Sequence, residues 1–333
     1  FSPLFAEEQR LWPQMDELLG YPTEFRPNRI RIAADAHQLE LYGRAVRNAA
    51  RQGFVSEVLD ATRVRELVPL AGEANAGGYF YHFGGHANPQ RTVQGYAWAM
   101  QDHGGRLLQH TSVLGFEIAG ERVRGVRTDR GEIGCEHLVL AAGPGGGRLA
   151  SMLGVHVPMV PARAEMIVTE PLALMPTGGV DGYGLYGRQT LRGNLAYGGG
   201  PHEWLEEGDD AAPAKPSTPL MRSIAARLAQ LLPGAAHAHI LRSWAGVIEN
   251  TPDGRPVMER LADPANVTIA SLSSIGFGLS PASGHAVRDL VMDGACGFAD
   301  ISSFALSRFA RLEPDWIDIQ GWRPPVRMGS PHG

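Results

Sequence analysis

Apolar positions along the chain repeat with two different periods, and the switches between them predict helices and strands in alternation. Phe5, Leu11, Trp12, Met15, Leu18 and Leu19 mark one helical face behind Ser2, a good N-cap, and Pro3, which suits a first turn. Pro13 predicts a break in that helix and Gly20 its end. Asp35 and Gln38 have capping-box spacing ahead of Leu39, Tyr42, Val46 and Ala49, and Gly53 closes that helix. Further helices are predicted from Asp60 to Val68, from Asn88-Pro89 to Gly104-Gly105, over 220–232 and over 283–292.

Period-two or continuously apolar runs predict the strands. They cover 29–33, the aromatic run Tyr79 to Phe83, 107–110, 113–118, 123–128 and Leu138 to Ala142. Beyond these, strands are expected over 164–169, 184–188, 195–198 and Val267 to Ser271, with a turn at Asp129-Arg130-Gly131. No internal repeat or low-complexity linker interrupts the pattern. The expectation is one large α/β unit or two intertwined ones.

Composition narrows the function classes. Among 333 residues 44% are apolar and 20% charged, the profile of a globular protein with a sizeable core. A net charge of −5 points away from a nucleic-acid surface. Cys135 and Cys296 form neither a disulfide framework nor a metal spacing, so a cytoplasmic location is expected. His103, Asp102 and Glu203 show no metal-ligand spacing either, and no metal is expected. No apolar run reaches the roughly 18 residues of a membrane span. The chain opens without Met on a helical pattern, which suggests that residues precede Phe1.

Three glycine-marked segments carry the candidate chemistry. The strand ending Leu140-Ala141-Ala142-Gly143 stops in small residues, which let a cofactor backbone approach. Gly276-Phe277-Gly278-Leu279-Ser280 leads a second apolar strand into a helix, whose first N–H groups favour an anion. Trp244-Ala-Gly246 is followed by the turn Thr251-Pro-Asp-Gly254. Gly145 to Ala150 also matches G-x-G-x-x-A, but a true fingerprint opens the first βαβ unit. Two prolines between Val155 and Arg163, Pro158 and Pro161, predict a crossing into another sheet instead, so the triple glycine reads as a helix entrance.

The order Gly84-Gly85-His86, Asn88-Pro89, Gly104-Gly105, Val113, Val126-Arg127-Thr128, Leu140 to Gly143, Trp244-Ala-Gly246, Thr251 to Gly254 and Gly276 to Gly284 resembles the FAD-dependent D-amino-acid oxidase superfamily. Within it the chain looks most like the heteromeric sarcosine oxidase β subunit, opine oxidase and hydrogen cyanide synthase type of subunit, over about residues 1 to 310. The resemblance implies a Rossmann-like FAD domain, without its first βαβ unit, intertwined with a mixed or antiparallel substrate-domain sheet. The implied division is 1–87 for substrate-domain parts, 88–158 for the FAD domain, 159–245 for the substrate sheet, 246–310 for the FAD domain again, and 311–333 for a tail.

The same resemblance implies residue roles. Val113, Ala141, Ala142 and Gly143 would line the adenosine side of FAD, and Gly276, Phe277, Gly278, Leu279 and Ser280 its isoalloxazine ring. The implied reaction oxidises the C–N bond of a small amino acid or secondary amine by hydride transfer to flavin N5, with no protein acid or base assigned. Arg188 is the candidate for the substrate carboxylate, because a guanidinium fork matches it at two points, with Arg242 and Arg91 as rivals. Tyr81, Tyr197, Trp244 and His86 are candidate pocket walls, beside Tyr79 and His82. A second flavin- or nucleotide-binding subunit and a small iron–sulfur subunit are the implied partners.

The family's opening strand, glycine loop and acidic residue do not occur after Phe1. Without those phosphate contacts this polypeptide alone is expected to bind FAD weakly. The competing readings are a non-catalytic scaffold subunit and an NAD(P)-dependent dehydrogenase using Gly145 to Ala150.

Overall fold

A computed structural model describes residues 2–206 and 214–323, the side chains of Ser2 and Pro3 excepted. The first helix, α1 (Ser2–Leu11), passes through a 3-10 turn at Trp12–Gln14 into α2 (Met15–Leu19). Pro13 lies inside that turn, where a missing N–H breaks no α-helical bond, and Gly20 ends α2 at a φ of 72°. The cap expected of the Ser2 side chain lies outside the described residues.

Strand β1 (Arg26–Ile32) leads to α3 (Ala36–Arg51). Asp35 caps α3 by accepting from Gln38 N at 2.8 Å, while the Gln38 side chain accepts from Ala34 N at 2.9 Å. Then come β2 (Ser56–Leu59), α4 (Ala61–Leu67) capped by Asp60, and the aromatic β3 (Gly78–His86). Asn88 caps α5 (Pro89–Asp102), accepting from the N–H groups of Gln90 and Arg91.

The strand expected over 107–110 does not form. Leu107 and Leu108 are exposed and His110 takes a φ of 53°. With no neighbouring strand to pack against, their side chains gain nothing from extended pairing. An antiparallel meander follows: β4 (Val113–Ala119), β5 (Arg122–Thr128) and β6 (Gly131–Gly134).

The short β7 (Leu138–Leu140) enters a 3-10 turn at Gly143–Gly145 and then α6 (Gly146–Ser151). Next is the long β8 (Val160–Pro171), which belongs to a different sheet from β7. Gly145 to Ala150 therefore opens a helix that does not return to its own sheet, as a dinucleotide fingerprint requires.

The chain continues through β9 (Val180–Asp181), β10 (Leu185–Gln189), β11 (Asn194–Gly199), β12 (Glu203–Trp204) and α7 (Thr218–Leu231). It then runs through β13 (Ile240–Asn250), β14 (Val257–Arg260), β15 (Val267–Ser271) and α8 (Ser280–Met292), followed by two 3-10 turns and the short α9 (Trp316–Ile319). Helix α8 starts three residues before the periodic pattern does. Pro281 sits in its first turn, where it interrupts no hydrogen bond.

Among the described residues four sheets result, in a mixed α/β fold. One has the order β2-β3-β1-β9, with β1 and β9 parallel. A second is antiparallel, β10-β11-β8, with β12 and β13 also on β8. The third is β14-β15-β7, whose β15 and β7 run parallel, and the meander is the fourth.

A core of Ile30, Ile32, Ile167, Val180, Tyr197 and Leu231 fills the space between the first two sheets and α7. A second core, with Leu4, Met258, Leu279, Ala282 and Ala286, binds α1 to α8. Helix α1 thus ties the start of the chain to the helix that follows β15. That contact closes one wall of the central cavity. Among the described residues no helix is long and apolar enough to cross a membrane.

Candidate active site

A cavity of about 650 Å³ opens where α1, the ends of β1, β3 and β10, and the turn before α8 converge. Its walls are largely apolar and aromatic: Phe5, Trp12, Phe25, Met166, Tyr186, Ile275 and Phe277 line it. Trp12 is held from several sides, with the Phe277 ring tilted against it at 5.5 Å. Its ring stacks on Phe25 at 5.5 Å, and its Nε1 donates to the Gly278 carbonyl at 2.8 Å. The indole therefore fixes the glycine turn against α1 while showing a face to the cavity.

Besides the Tyr186 phenol, four ionisable side chains reach the cavity: Glu8, Arg29, His86 and Arg188. Arg29 is neutralised. Its Nε donates to Asp181 at 3.3 Å, its Nη2 bonds the other carboxylate oxygen, and Tyr81 donates to Asp181 at 3.1 Å. Burial alone would lower the Arg29 pKa, but the Asp181 charge more than reverses this. The Tyr81 hydroxyl is pushed up to about 12 by burial and then by Asp181.

Arg188 is different. Among the described residues it makes no hydrogen bond or ion pair within bonding distance. Burial lowers its pKa, with Glu24 opposing and Arg29 adding to the effect, yet a guanidinium remains charged at any ordinary pH. It is the cation in the cavity that lacks a bonded counter-ion.

His86 is only 7% exposed, and neither ring nitrogen has a hydrogen-bond partner. Burial first, then Arg29, Arg188 and Arg26, hold its pKa down to about 3, so the ring is neutral. Glu8 is 3% exposed; one carboxyl oxygen accepts from Ala282 N at 3.3 Å and the other has no partner. Burial pushes its pKa up to about 8, so at neutral pH it is mostly a carboxylic acid. The net effect is one positive charge without a bonded counter-ion in a largely apolar cavity.

A second feature lies at the carboxyl ends of the parallel β7 and β15. Ala141, Gly143, Leu272, Gly276, Ser280, Ser283 and Gly284 line a groove of about 380 Å³ there, with Glu249 at its side. Crevices outside the carboxyl ends of parallel strands are where such sheets receive dinucleotides. Small residues leave room: a side chain begun at Gly284 would meet nothing within 4 Å, and Gly143 takes a φ of 53°.

The expected site residues divide between these two places. His86, Arg188, Phe277, Gly278 and Leu279 line the cavity, and Ala141, Gly143, Gly276 and Ser280 line the groove. Ala142 is exposed and Val113 half-buried, and neither lines the groove. Tyr81, Tyr197 and Trp244 do not line the cavity. Tyr81 serves Asp181, Tyr197 is fully buried behind Gly187, and Trp244 pairs with Met166 from β13. Arg242 also lies on β13 and Arg91 faces Glu24 at 3.9 Å, so neither rival reaches the cavity. Among the described residues no cluster suits a metal ion.

Sequence reasoning passed over Glu8, Arg29, Asp181 and Glu249. For Glu8 a signal existed, because Phe5, Glu8 and Trp12 share one helical face, and a carboxylate on an apolar stripe needs an explanation.

Comparison with known proteins agrees with this geometry. The family described as "DAO: FAD dependent oxidoreductase" matches residues 1–290. The sarcosine oxidase subunit beta of Rhodobacter capsulatus is 27% identical over 328 residues, covering 95% of this chain and 76% of that protein. The crystal structure of L-proline dehydrogenase from P. horikoshii superposes with a TM-score of 0.83 at 23% identity, covering 93% of this chain and 83% of that one. Glycine oxidase from Geobacillus kaustophilus gives a TM-score of 0.83 at 22% identity, over 92% of this chain and 82% of that one.

Proposed function

The chain belongs to the FAD-dependent oxidoreductases of the DAO family, and from that premise we propose that it oxidises the C–N bond of a small amino acid or secondary amine whose carboxylate Arg188 holds. The observation that carries this reading is the half-buried Arg188 guanidinium, without a bonded counter-ion, in an otherwise apolar cavity. A monocarboxylate neutralises it, and a planar fork matches a carboxylate at two points.

FAD suits what is present. Small residues at the ends of β7 and β15 leave a groove for its extended part, and the aromatic-walled turn at Phe277 to Leu279 faces the cavity. When bound, the flavin supplies the two-electron acceptor for the substrate. The chain's own side chains do the rest. Arg188 orients the substrate, while Trp12, Phe25 and Phe277 exclude water. His86 stays neutral and the buried Glu8 keeps its proton up to about pH 8, so neither competes with the substrate carboxylate for Arg188.

The name of the R. capsulatus relative, a subunit beta, supports placing this chain in a heteromeric assembly. A second flavin- or nucleotide-binding subunit and an iron–sulfur subunit are the proposed companions. The scaffold reading leaves the cavity and the groove without a purpose.

The test is spectroscopic. The full protein, purified and supplied with FAD, is expected to show bound-flavin absorption that bleaches anaerobically with one of sarcosine, proline, glycine or an opine. Flavin that no amine carboxylate reduces would overturn the proposal.

A further inference from the structure

The groove at the ends of β7 and β15 holds one charged side chain, and its sign is unexpected. Glu249 is the penultimate residue of β13, a strand of another sheet, and it reaches across to this crevice. Its Oε1 accepts from Leu272 N at 3.3 Å, just after β15 ends. Its Oε2 lies 3.7 Å from the point where a side chain on Gly143 would begin, just beyond β7. The carboxylate therefore bridges the two parallel strand ends at the groove's wall.

Glu249 is 8% exposed, and no cation pairs with it among the described residues. The groove offers small and apolar neighbours and no Lys, Arg or His. Burial raises the Glu249 pKa while backbone N–H groups, that of Leu272 among them, oppose the rise, and in its ionised form the carboxylate is acceptor-only and negative. It repels a diphosphate, and at this depth little solvent screens the repulsion. It does accept hydrogen bonds from hydroxyl groups, and such charge-assisted bonds are stronger than neutral ones.

FAD offers both kinds of group, a diphosphate and two hydroxyl-bearing stretches, the ribityl chain and the adenosine ribose. We propose that Glu249 holds a polyol stretch of FAD at this groove and so sets the diphosphate away from it. This rests on the chain's FAD dependence and is independent of which amine it oxidises. The residue acts on cofactor binding, and the proposal gives it no part in proton transfer.

The experiment uses the full chain, stripped of flavin and titrated with FAD by fluorescence quenching, for wild type, Glu249→Gln and Glu249→Ala. Glu249→Gln keeps the shape and the Leu272 contact but loses the charge, and its Kd for FAD is expected to rise about tenfold. Glu249→Ala is expected to raise it about a hundredfold. Riboflavin, titrated in parallel, separates the two stretches. A penalty that persists with riboflavin assigns Glu249 to the ribityl chain, and one confined to FAD assigns it to the ribose.

Thermal melts of the flavin-free variants provide the control for a purely structural role. A lowered melting temperature with unchanged FAD affinity would overturn the proposal. So would tighter FAD binding in either variant, since relief of repulsion would place the diphosphate beside Glu249. Because neither readout involves an amine, failure here and failure of the substrate reading are distinguishable.

Discussion

Arg29 meets Asp181 at two points, and the same guanidinium donates to the Gly85 carbonyl at 3.3 Å and the Gly187 carbonyl at 3.1 Å. Those carbonyls belong to the residues just before His86 and Arg188. One buried ion pair thus braces β1 against β3 and β10 and fixes the backbone beneath both cavity side chains.

Removing one partner leaves the other charge buried alone. Asp181→Ala is expected to lose about 3–5 kcal/mol of stability, read by urea denaturation. Replacing both by apolar residues, Arg29→Met with Asp181→Leu, is expected to cost much less in stability than the single change. The double variant should still bind substrate poorly, because Gly85 and Gly187 lose their common donor. An Asp181→Ala variant within about 1 kcal/mol of wild type would show that the pair contributes no such brace.

Arg188 is predicted to act on substrate and hardly on folding, since it makes no hydrogen bond or ion pair among the described residues. Arg188→Met is expected to lower kcat/KM for amine carboxylates by about a hundredfold or more, from two lost charge-assisted bonds. Arg188→Lys should recover only part of this, lacking the fork. Unfolding midpoints near wild type complete the expectation. Equal kcat/KM in wild type and Arg188→Met would place the carboxylate elsewhere.

The pH dependence of stability has two opposed contributions. Glu8 has a folded pKa of about 8 against an ordinary 4.5. The folded state therefore holds this proton more tightly than the unfolded chain, and the stability it contributes is lost as pH rises from about 4.5 to 8. Glu8→Gln should flatten that limb in denaturation curves recorded between about pH 5 and 8.

His86 works on the other side. Its folded pKa of about 3 lies below the ordinary 6.5, so stability drops as pH falls from 6.5 towards 3 and the unfolded chain takes up the proton. His86→Gln should flatten the acid limb. Limbs that keep their slopes in both variants would assign the pH dependence to other groups.

Gly187 tests the packing behind Arg188. A side chain begun there would lie 2.4 Å from the Tyr197 ring and 2.6 Å from the Ala196 carbonyl. Tyr197 is fully buried and cannot swing away. Gly187→Ala should destabilise by about 1–3 kcal/mol and shift Arg188 enough to raise KM. An alanine variant of unchanged stability and KM would mean that β10 has slack the packing does not suggest.

Much of the fold was legible in the chain. Asp35 with Gln38 and Asn88 with Pro89 announced helix starts that the structure contains, because capping depends on contacts within four residues. The two leucines before His110 misled for the opposite reason: strand formation needs a partner that no local pattern specifies. Gly143, Gly276 and Arg188 could be singled out from residue type and neighbours. Tyr81 and Tyr197 could not be sorted into pocket or core, since aromatic residues on a strand serve either place.

By itself, then, the sequence determined the mixture of helices and strands, the two glycine-ended strands and the family to which their order points. Those features rest on short-range capping, turn chemistry and hydrophobic period. Only the tertiary structure decided that Arg29 is neutralised by Asp181 while Arg188 is left without such a partner, and that Glu8 and Glu249 are buried. Asp181 lies 152 residues from Arg29, and Ala282 lies 274 from Glu8. Charge balance in a cavity is set by which side chains converge there, and convergence over such separations follows from how the sheets pack.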